Sequence, residues 1–260
     1  MAKLYFKYGT MGASKSANLL MINHNYKEKG VQTILWKPSK DTRNIGSIYS
    51  RIGISESCFL IEKDENLIEK LNKSLAENKN IGAIFIDEAQ FLTKEQVKQL
   101  LKITINNHID VFCFGLRNSY LLNGFEGSKE LLSFAHDIQE IKSKCDCGKK
   151  ATTHLLKKNG EYIFNGKDTF IGDKEFTSVC YQCYYNIKNN EIKDLSNKIE
   201  KLKKILPKCI SFRSYKSNNK LFIVYSSDEN DQQENEMIEC CRQVFTENEM
   251  NQIIKLVYSQ

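Results

Sequence analysis

Proline is scarce in this chain, two in 260 residues, so no proline-rich linker or recognition tract divides it. No apolar run approaches the roughly 18 residues that a membrane-spanning helix needs, and no signal-peptide pattern opens the sequence. These absences make a cytoplasmic protein without a membrane partner the expectation. An excess of one charge is also missing. The net charge is +6, and residues 191–260 hold eleven Lys or Arg against eleven Asp or Glu. The small positive excess therefore lies in residues 1–190, which suits an anionic ligand but does not point to nucleic acid. Nine cysteines in a reducing compartment read as metal ligands or free thiols, not as a disulfide framework. With 41% hydrophobic and 27% charged residues, the composition is that of an ordinary globular protein. Its length suits one large domain, alone or with an appendage.

What is present begins at once. The apolar run Leu4-Tyr5-Phe6 is followed by Gly9-Thr10-Met11-Gly12-Ala13-Ser14-Lys15-Ser16 and then by a helix-like stretch. This order and spacing match a phosphate-binding loop, with Ser14 where a second glycine is usual. Backbone N–H groups of such a loop and of the following helix point at phosphate oxygens. Lys15 adds charge near the outer phosphates, and the Ser16 hydroxyl can coordinate Mg²⁺. The implied ligand is a nucleoside triphosphate. A second segment agrees: Ile84-Phe85-Ile86 reads as a buried strand ending in Asp87-Glu88-Ala89-Gln90-Phe91. An acidic residue at a strand's carboxyl end is how such folds bring a Mg²⁺-binding carboxylate to the phosphates. Glu88 beside it can accept a proton from an attacking hydroxyl.

Periodicity supplies the frame. Strands are expected at Leu4–Tyr8, Val31–Trp36, up to Ile86 and at Asp110–Phe114. Helices are expected from Lys15 to about Lys29, over Asn66–Glu77, and from the capping-box pattern Thr93-Lys-Glu-Gln96 to about Asn106. Alternating strands and helices imply a parallel sheet with right-handed crossovers, and an α/β nucleotide-binding domain. Functional residues then belong at the carboxyl ends of the strands, where Gly9, Asp87 and Leu116 fall. Residues 116–129 show little periodicity and read as a long loop carrying Tyr120 and Phe125.

Two cysteine pairs follow, Cys145-Asp-Cys147 and Cys180-Tyr-Gln-Cys183. Each lies beside a turn, as in a structural zinc ribbon with four thiolates. A redox pair or plain buried thiols are the other readings of these residues. The segment between them, Thr152–Phe170, alternates like antiparallel strands, with a hairpin turn at Asn159-Gly160.

Taken together, these motifs resemble the thymidine kinases of the type found in the animal cytosol and in many bacteria. The resemblance runs from Leu4 to about Lys188. It is carried by the loop from Gly9 to Ser16, Lys40-Asp-Thr-Arg43, Asp87–Phe91, Gly115-Leu116 with its aromatic loop, and both cysteine pairs, in order and approximate spacing. It implies ATP-dependent phosphorylation of the 5′-hydroxyl of thymidine or deoxyuridine, a structural Zn²⁺ on Cys145, Cys147, Cys180 and Cys183, and a homotetramer. It also implies thymidine triphosphate as a feedback inhibitor. Glu88 would be the base, with Lys15 and Arg43 at the transferred phosphoryl group. Gly9 through Ser16 with Asp87–Gln90 would hold the nucleotide and Mg²⁺. Met11, Phe91, Leu116, Tyr120, Phe125 and Phe176 would line the nucleoside pocket, with Ile171 and Gly172 reading the base from a lasso. Phosphoryl transfer needs positioning, charge neutralisation and a base, and these residue types supply all three. The chain departs from the family at Ser14, at Leu116-Arg-Asn and at Phe176, which lacks a tyrosine hydroxyl.

The expected organisation is a P-loop α/β kinase domain over 1–141, a zinc-ribbon lasso domain over 142–190 and a C-terminal extension over 191–260. In the extension, Glu191–Pro207 has amphipathic helix spacing. Ile210–Tyr215 and Leu221–Tyr225 flank a hairpin turn, and an acidic stretch leads to a last helix opened by Thr246-x-x-Glu249. An ATPase or GTPase switch and a zinc-ribbon nucleic-acid binder are the alternative classes. Lys149-Lys150 and Lys157-Lys158 give the second only a modest basic surface.

Overall fold

The computed structural model describes residues 1–260 except 78–79, 159, 170–174, 206–210, 218–219, 227–230, 246–253 and 259–260. For residues 192, 195, 203, 211–217, 220–226, 231–237 and 254–258 it describes the backbone alone. The chain forms two compact units, residues 1–162 with 168–181, and residues 163–167 with 182–260.

The first unit is built on a parallel sheet. Its strands are β1 (Leu4–Tyr8), β2 (Gln32–Pro38), β5 (Phe59–Ile61), β6 (Ile81–Ile86), β7 (Asp110–Gly115) and β8 (Asp137–Glu140), between which β3 (Ser47–Tyr49) and β4 (Ser55–Ser57) pair as a separate hairpin. The order across the sheet is β5-β2-β6-β7-β1-β8, and every neighbouring pair is parallel. The helices α1 (Lys15–Glu28), α2 (Leu67–Glu77), α3 (Lys94–Asn106) and α4 (Glu126–Phe134) connect them. A sheet covered on both faces needs strands that are apolar on both sides. Strand β6 shows how: Ala83 and Phe85 join Leu19 and Leu20 of α1 in one core, while Ile84 and Ile86 join Val97, Leu100 and Ile103 of α3 in the other. The α1 side is aromatic. Phe112 stacks on Tyr5 at 4.3 Å and on Phe85 at 4.9 Å, each pair contributing about 0.5–1.5 kcal/mol beyond its buried area.

Around this sheet the expected strands and helices fall where periodicity placed them, within a residue or two. The capping box is present: Gln96 N–H donates to Thr93 Oγ1 at 3.2 Å, and Thr93 N–H donates to Gln96 Oε1 at 3.1 Å. One element differs. Residues 116–129 were expected to be a loop throughout, yet α4 begins at Glu126. Gly124 and Gly127 obscured it, since glycine weakens a helix in the absence of other forces. Here Gly127 allows close approach to the short 3₁₀ turn Ala89–Phe91. A Cβ at Gly127 would lie 2.6 Å from the Ala89 carbonyl oxygen and 2.7 Å from that of Leu92. Ser128 Oγ, in the same helix turn, donates to the Leu116 carbonyl at 2.5 Å.

A three-stranded sheet follows, with β9 (Thr153–Lys158) between β10 (Glu161–Ile163) and β11 (Phe176–Val179). Of the expected hairpin turn, Gly160 has the left-handed φ of 86° that such turns favour, and Asn159 lies outside the described residues.

In the second unit, α5 (Tyr181–Ile205) starts ten residues before the expected Glu191, because its first turns had been assigned to the cysteine segment. Strands β12 (Ser211–Ser217) and β13 (Lys220–Ser226) pair antiparallel, with Ser217 opposite Lys220, as the hairpin reading required. The acidic stretch is itself helical, α6 (Asp231–Val244). The helix start at Thr246 lies outside the described residues. Beyond it, where the last helix was expected to run, Ile254–Tyr258 forms β14, paired parallel with β13. Apolar residues at 254, 256 and 258 have the spacing of a strand. Among the described residues no helix is long and apolar enough to cross a membrane.

The close approach at Gly127 has a measurable consequence. Gly127→Ala pushes α4 off the 3₁₀ turn and is expected to cost about 1–3 kcal/mol of stability in urea unfolding. Gly124→Ala, whose Cβ meets only the flexible Lys129 side chain, is expected to stay within about 0.5 kcal/mol.

Candidate functional site

Strand β1 delivers the chain into the Gly9–Ser14 loop, and α1 opens directly behind it at Lys15. Gly9 N–H donates to the Gly115 carbonyl at 3.2 Å, so the loop is fastened to the end of β7. A side chain at Gly9 is excluded, since a Cβ would lie 2.7 Å from the Ile141 carbonyl oxygen. Ser14 adopts φ 56° and ψ 30°, a left-handed conformation that costs a non-glycine residue about 1–2 kcal/mol. The loop therefore keeps the backbone form that glycine normally permits. Lys15 is buried and donates from Nζ to the Thr10 carbonyl at 2.9 Å. Burial pulls its pKa below the usual value, and the Glu88 and Asp87 carboxylates oppose that shift.

Strand β6 delivers the acidic pair. Asp87 Oδ2 accepts from Ser16 Oγ at 2.7 Å. Burial and the neighbouring Glu88 charge raise the Asp87 pKa to about 6, against the pull of the Ser16 hydroxyl and Lys15. Glu88 has φ 52°, a second non-glycine residue in the left-handed region. That conformation starts the 3₁₀ turn. The Glu88 carboxylate accepts from Arg43 Nη2 at 2.7 Å through one oxygen and from Gln90 Nε2 at 2.5 Å through the other. Gln90 is fixed in turn, its Oε1 accepting from Leu116 N–H at 3.0 Å. Arg43 Nε donates to Asp41 Oδ1 at 2.7 Å, and Lys37 Nζ pairs with Asp41 Oδ2 at 3.1 Å. Burial works against the Asp41 charge, but the Arg43 hydrogen bond and the charges of Arg43 and Lys37 outweigh it, so its carboxyl lies below the ordinary value. Lys37 and Asp41 thus complete the site, although sequence reasoning singled out only Arg43 from that segment.

Two cavities meet here. One is lined by loop residues Met11–Ala17 together with Lys37, Arg51 and Asp87. The other is lined by Phe91, Leu116, Tyr120, Phe125, His154 and Phe176, among others. Met11, Asp41, Arg43 and Glu88 line both. The second is aromatic: Phe91 meets Phe125 edge-on at 5.9 Å, Tyr120 lies 6.4 Å from Phe176, and Lys40 Nζ sits 5.0 Å above the Phe91 ring. Every expected pocket residue except Ile171 and Gly172 is brought together; those two lie outside the described residues.

The structure also joins the loop to residues that no local pattern marked. Thr10 Oγ1 lies within hydrogen-bond distance of Ser143 Oγ at 2.6 Å and of Ser178 Oγ at 3.0 Å. The Met11 carbonyl accepts from Ser178 Oγ at 2.5 Å. Asp168 lines the aromatic cavity and accepts from Ser119 Oγ at 2.9 Å and Asn123 Nδ2 at 2.8 Å. Ser143, Asp168 and Ser178 all come from beyond β8, so only the fold reveals their part.

Cys145, Cys147, Cys180 and Cys183 converge, their Sγ atoms all within 4.8 Å of one another. Cys147 and Cys180 are 3.6 Å apart. A tetrahedral zinc thiolate site with bonds of about 2.3 Å separates sulfurs by roughly 3.8 Å, so the four fit that ion. Gly148, with φ 82°, forms the turn behind the first pair, its N–H donating to the Cys145 carbonyl at 2.8 Å.

Residues 2–184 match the family model described as Thymidine kinase. The chain is 41% identical over 195 residues to a thymidine kinase of Haemophilus influenzae, an alignment covering 74% of this chain and 100% of that one. It is 38% identical over 201 residues to one from Legionella pneumophila, covering 76% of this chain and 96% of the relative. With the thymidine kinase of Enterobacteria phage T4 it shares 42% over 182 residues, 69% of this chain and 94% of the phage protein.

Two outcomes test this geometry. Stripping metal with a strong chelator, or Cys147→Ser, is expected to lower the melting temperature markedly, and zinc is expected to restore the wild type alone. The buried carboxyl sets a pH dependence. Its folded pKa, about 6, lies above the ordinary 3.8, so its contribution to stability is full below the lower value and lost as pH rises through the upper. Asp87→Asn is therefore expected to raise the melting temperature of the ligand-free protein at pH 8 and to do so less at pH 5.

Proposed function

Because the chain belongs to the thymidine kinase family, we propose that it transfers the terminal phosphoryl group of ATP to the 5′-hydroxyl of thymidine, and of deoxyuridine, in nucleoside salvage. The observation that carries this reading is the position of Glu88 and Arg43, which line both the loop cavity and the aromatic cavity. A triphosphate in the first and a nucleoside in the second bring donor and acceptor together at a carboxylate and a guanidinium.

The residue roles follow from chemistry. The N–H groups of the Gly9–Ser16 loop and the α1 N-terminus receive the phosphates, and Lys15 and Arg43 neutralise charge on the phosphoryl group in flight. Ser16 and Asp87, already hydrogen-bonded to each other, are the ligands for Mg²⁺, which supplies further neutralisation when bound. Glu88 takes the proton of the 5′-hydroxyl as it attacks, while Arg43 and Gln90 hold its carboxylate. Phe91, Tyr120, Phe125 and Phe176 enclose the base. The four cysteines hold a structural zinc.

Adjacency of the cavities also supports feedback by thymidine triphosphate, whose base and phosphates together span both. The homotetramer is taken over from the family resemblance. A cytoplasmic location suits the substrates.

Glu88→Gln keeps the shape and loses the base. Its kcat for thymidine phosphorylation is expected to fall by about 10²- to 10⁴-fold, with KM for ATP little changed. Nucleoside-independent ATP hydrolysis at an undiminished rate in the variant would sink the proposal.

A further inference from the structure

The buried polar side chains of the aromatic cavity are almost all committed. Asp41 holds Lys37 and Arg43, Glu88 holds Arg43 and Gln90, and Gln90 uses both ends of its amide. His154 differs. It lies on β9 with 3% of its surface exposed, yet its ring nitrogens have no hydrogen-bond partner among the described residues. Its one ring contact is apolar, edge-on to Phe176 at 5.3 Å and 79°. It also lines a second, smaller cavity with Thr10, Asn118 and Thr152. A polar ring that lines a cavity without a protein partner is free to take one from the ligand.

Burial and the nearby Lys15 charge push the His154 pKa down to about 3, so the ring is neutral at working pH. A neutral imidazole keeps one donor and one acceptor. A thymine ring offers two carbonyl oxygens and one N–H, and either type of site can be met without introducing charge into an aromatic pocket.

Resting on the reading of this cavity as the nucleoside site, we propose that His154 is a specificity-determining residue that hydrogen-bonds a polar atom of the bound base. It sets affinity for the base and takes no part in proton transfer. A base that lacks the matching atom leaves the imidazole unpaired, and the site rejects it on that ground.

The test is steady-state kinetics on the full chain with wild type, His154→Gln and His154→Val. The substrates are thymidine and three analogues, with O2 or O4 replaced by sulfur (a weak acceptor) or with N3 methylated. The expected result is a KM for thymidine raised roughly three- to tenfold in His154→Val, with kcat within about twofold and most of the loss restored in His154→Gln. For one analogue, wild type and His154→Val have the same KM, which names the bonded atom. An unchanged KM in His154→Val overturns the proposal, as does an equal penalty on thymidine and all three analogues, because that is packing alone. Should His154→Val melt below the assay temperature, His154→Leu, closer in volume, replaces it with the same criteria. A wild type that phosphorylates no thymidine is a different failure, that of the nucleoside reading itself.

Discussion

Buried charge at the carboxyl end of a parallel sheet is the constraint around which this molecule is arranged. Asp41, Asp87, Glu88, Lys15 and Lys37 are each 9% exposed or less. Isolated, any one of them would shed its charge or unfold its surroundings. They persist because each carboxylate is met by a cation or a hydroxyl, in the order Lys37, Asp41, Arg43, Glu88, with Asp87 held by Ser16. The compensation is uneven, since Asp41 is well served and Asp87 is not. An underpaired carboxylate of this kind is the feature that a bound cation would relieve.

The surrounding fold serves this arrangement at short range. Three successive contacts hold Glu88 from behind: its own left-handed backbone, the 3₁₀ turn, and α4 pressed against that turn through Gly127. Gln90 links the carboxylate to the end of β7 through Leu116 N–H. Strain at Ser14 and Glu88 is tolerated because a strand of the central sheet leads into each segment and a helix or 3₁₀ turn follows it at once. Preorganisation of this kind lets the site meet a developing charge without first rearranging itself.

Local chemistry explains what the sequence alone could reveal. The strand–loop–helix at Gly9–Ser16, the acidic end of β6 and the Thr93 capping box are each written within ten residues or so, and each was readable. The helix at Glu126 was not, because its glycine answers to carbonyls some 35 residues away in the chain. The start of α5 at Tyr181 was hidden by a cysteine pattern that explained the same residues in another way. Ser143, Ser178, Asp168 and His154 carry no local signal at all. A serine that bonds a distant loop looks like any other serine, and a buried histidine looks like a surface one until its neighbours are known. The Lys40-Asp-Thr-Arg43 motif was recognised, but only packing showed that Asp41 is the member held by two cations.

Thr10 is held by hydroxyls from both ends of one segment, Ser143 just before the first cysteine pair and Ser178 just before the second. Such a segment behaves like a strap buckled at both ends onto one point. Changes between the buckles need not reach the loop at Gly9–Ser16, because the two serines keep their grip on it.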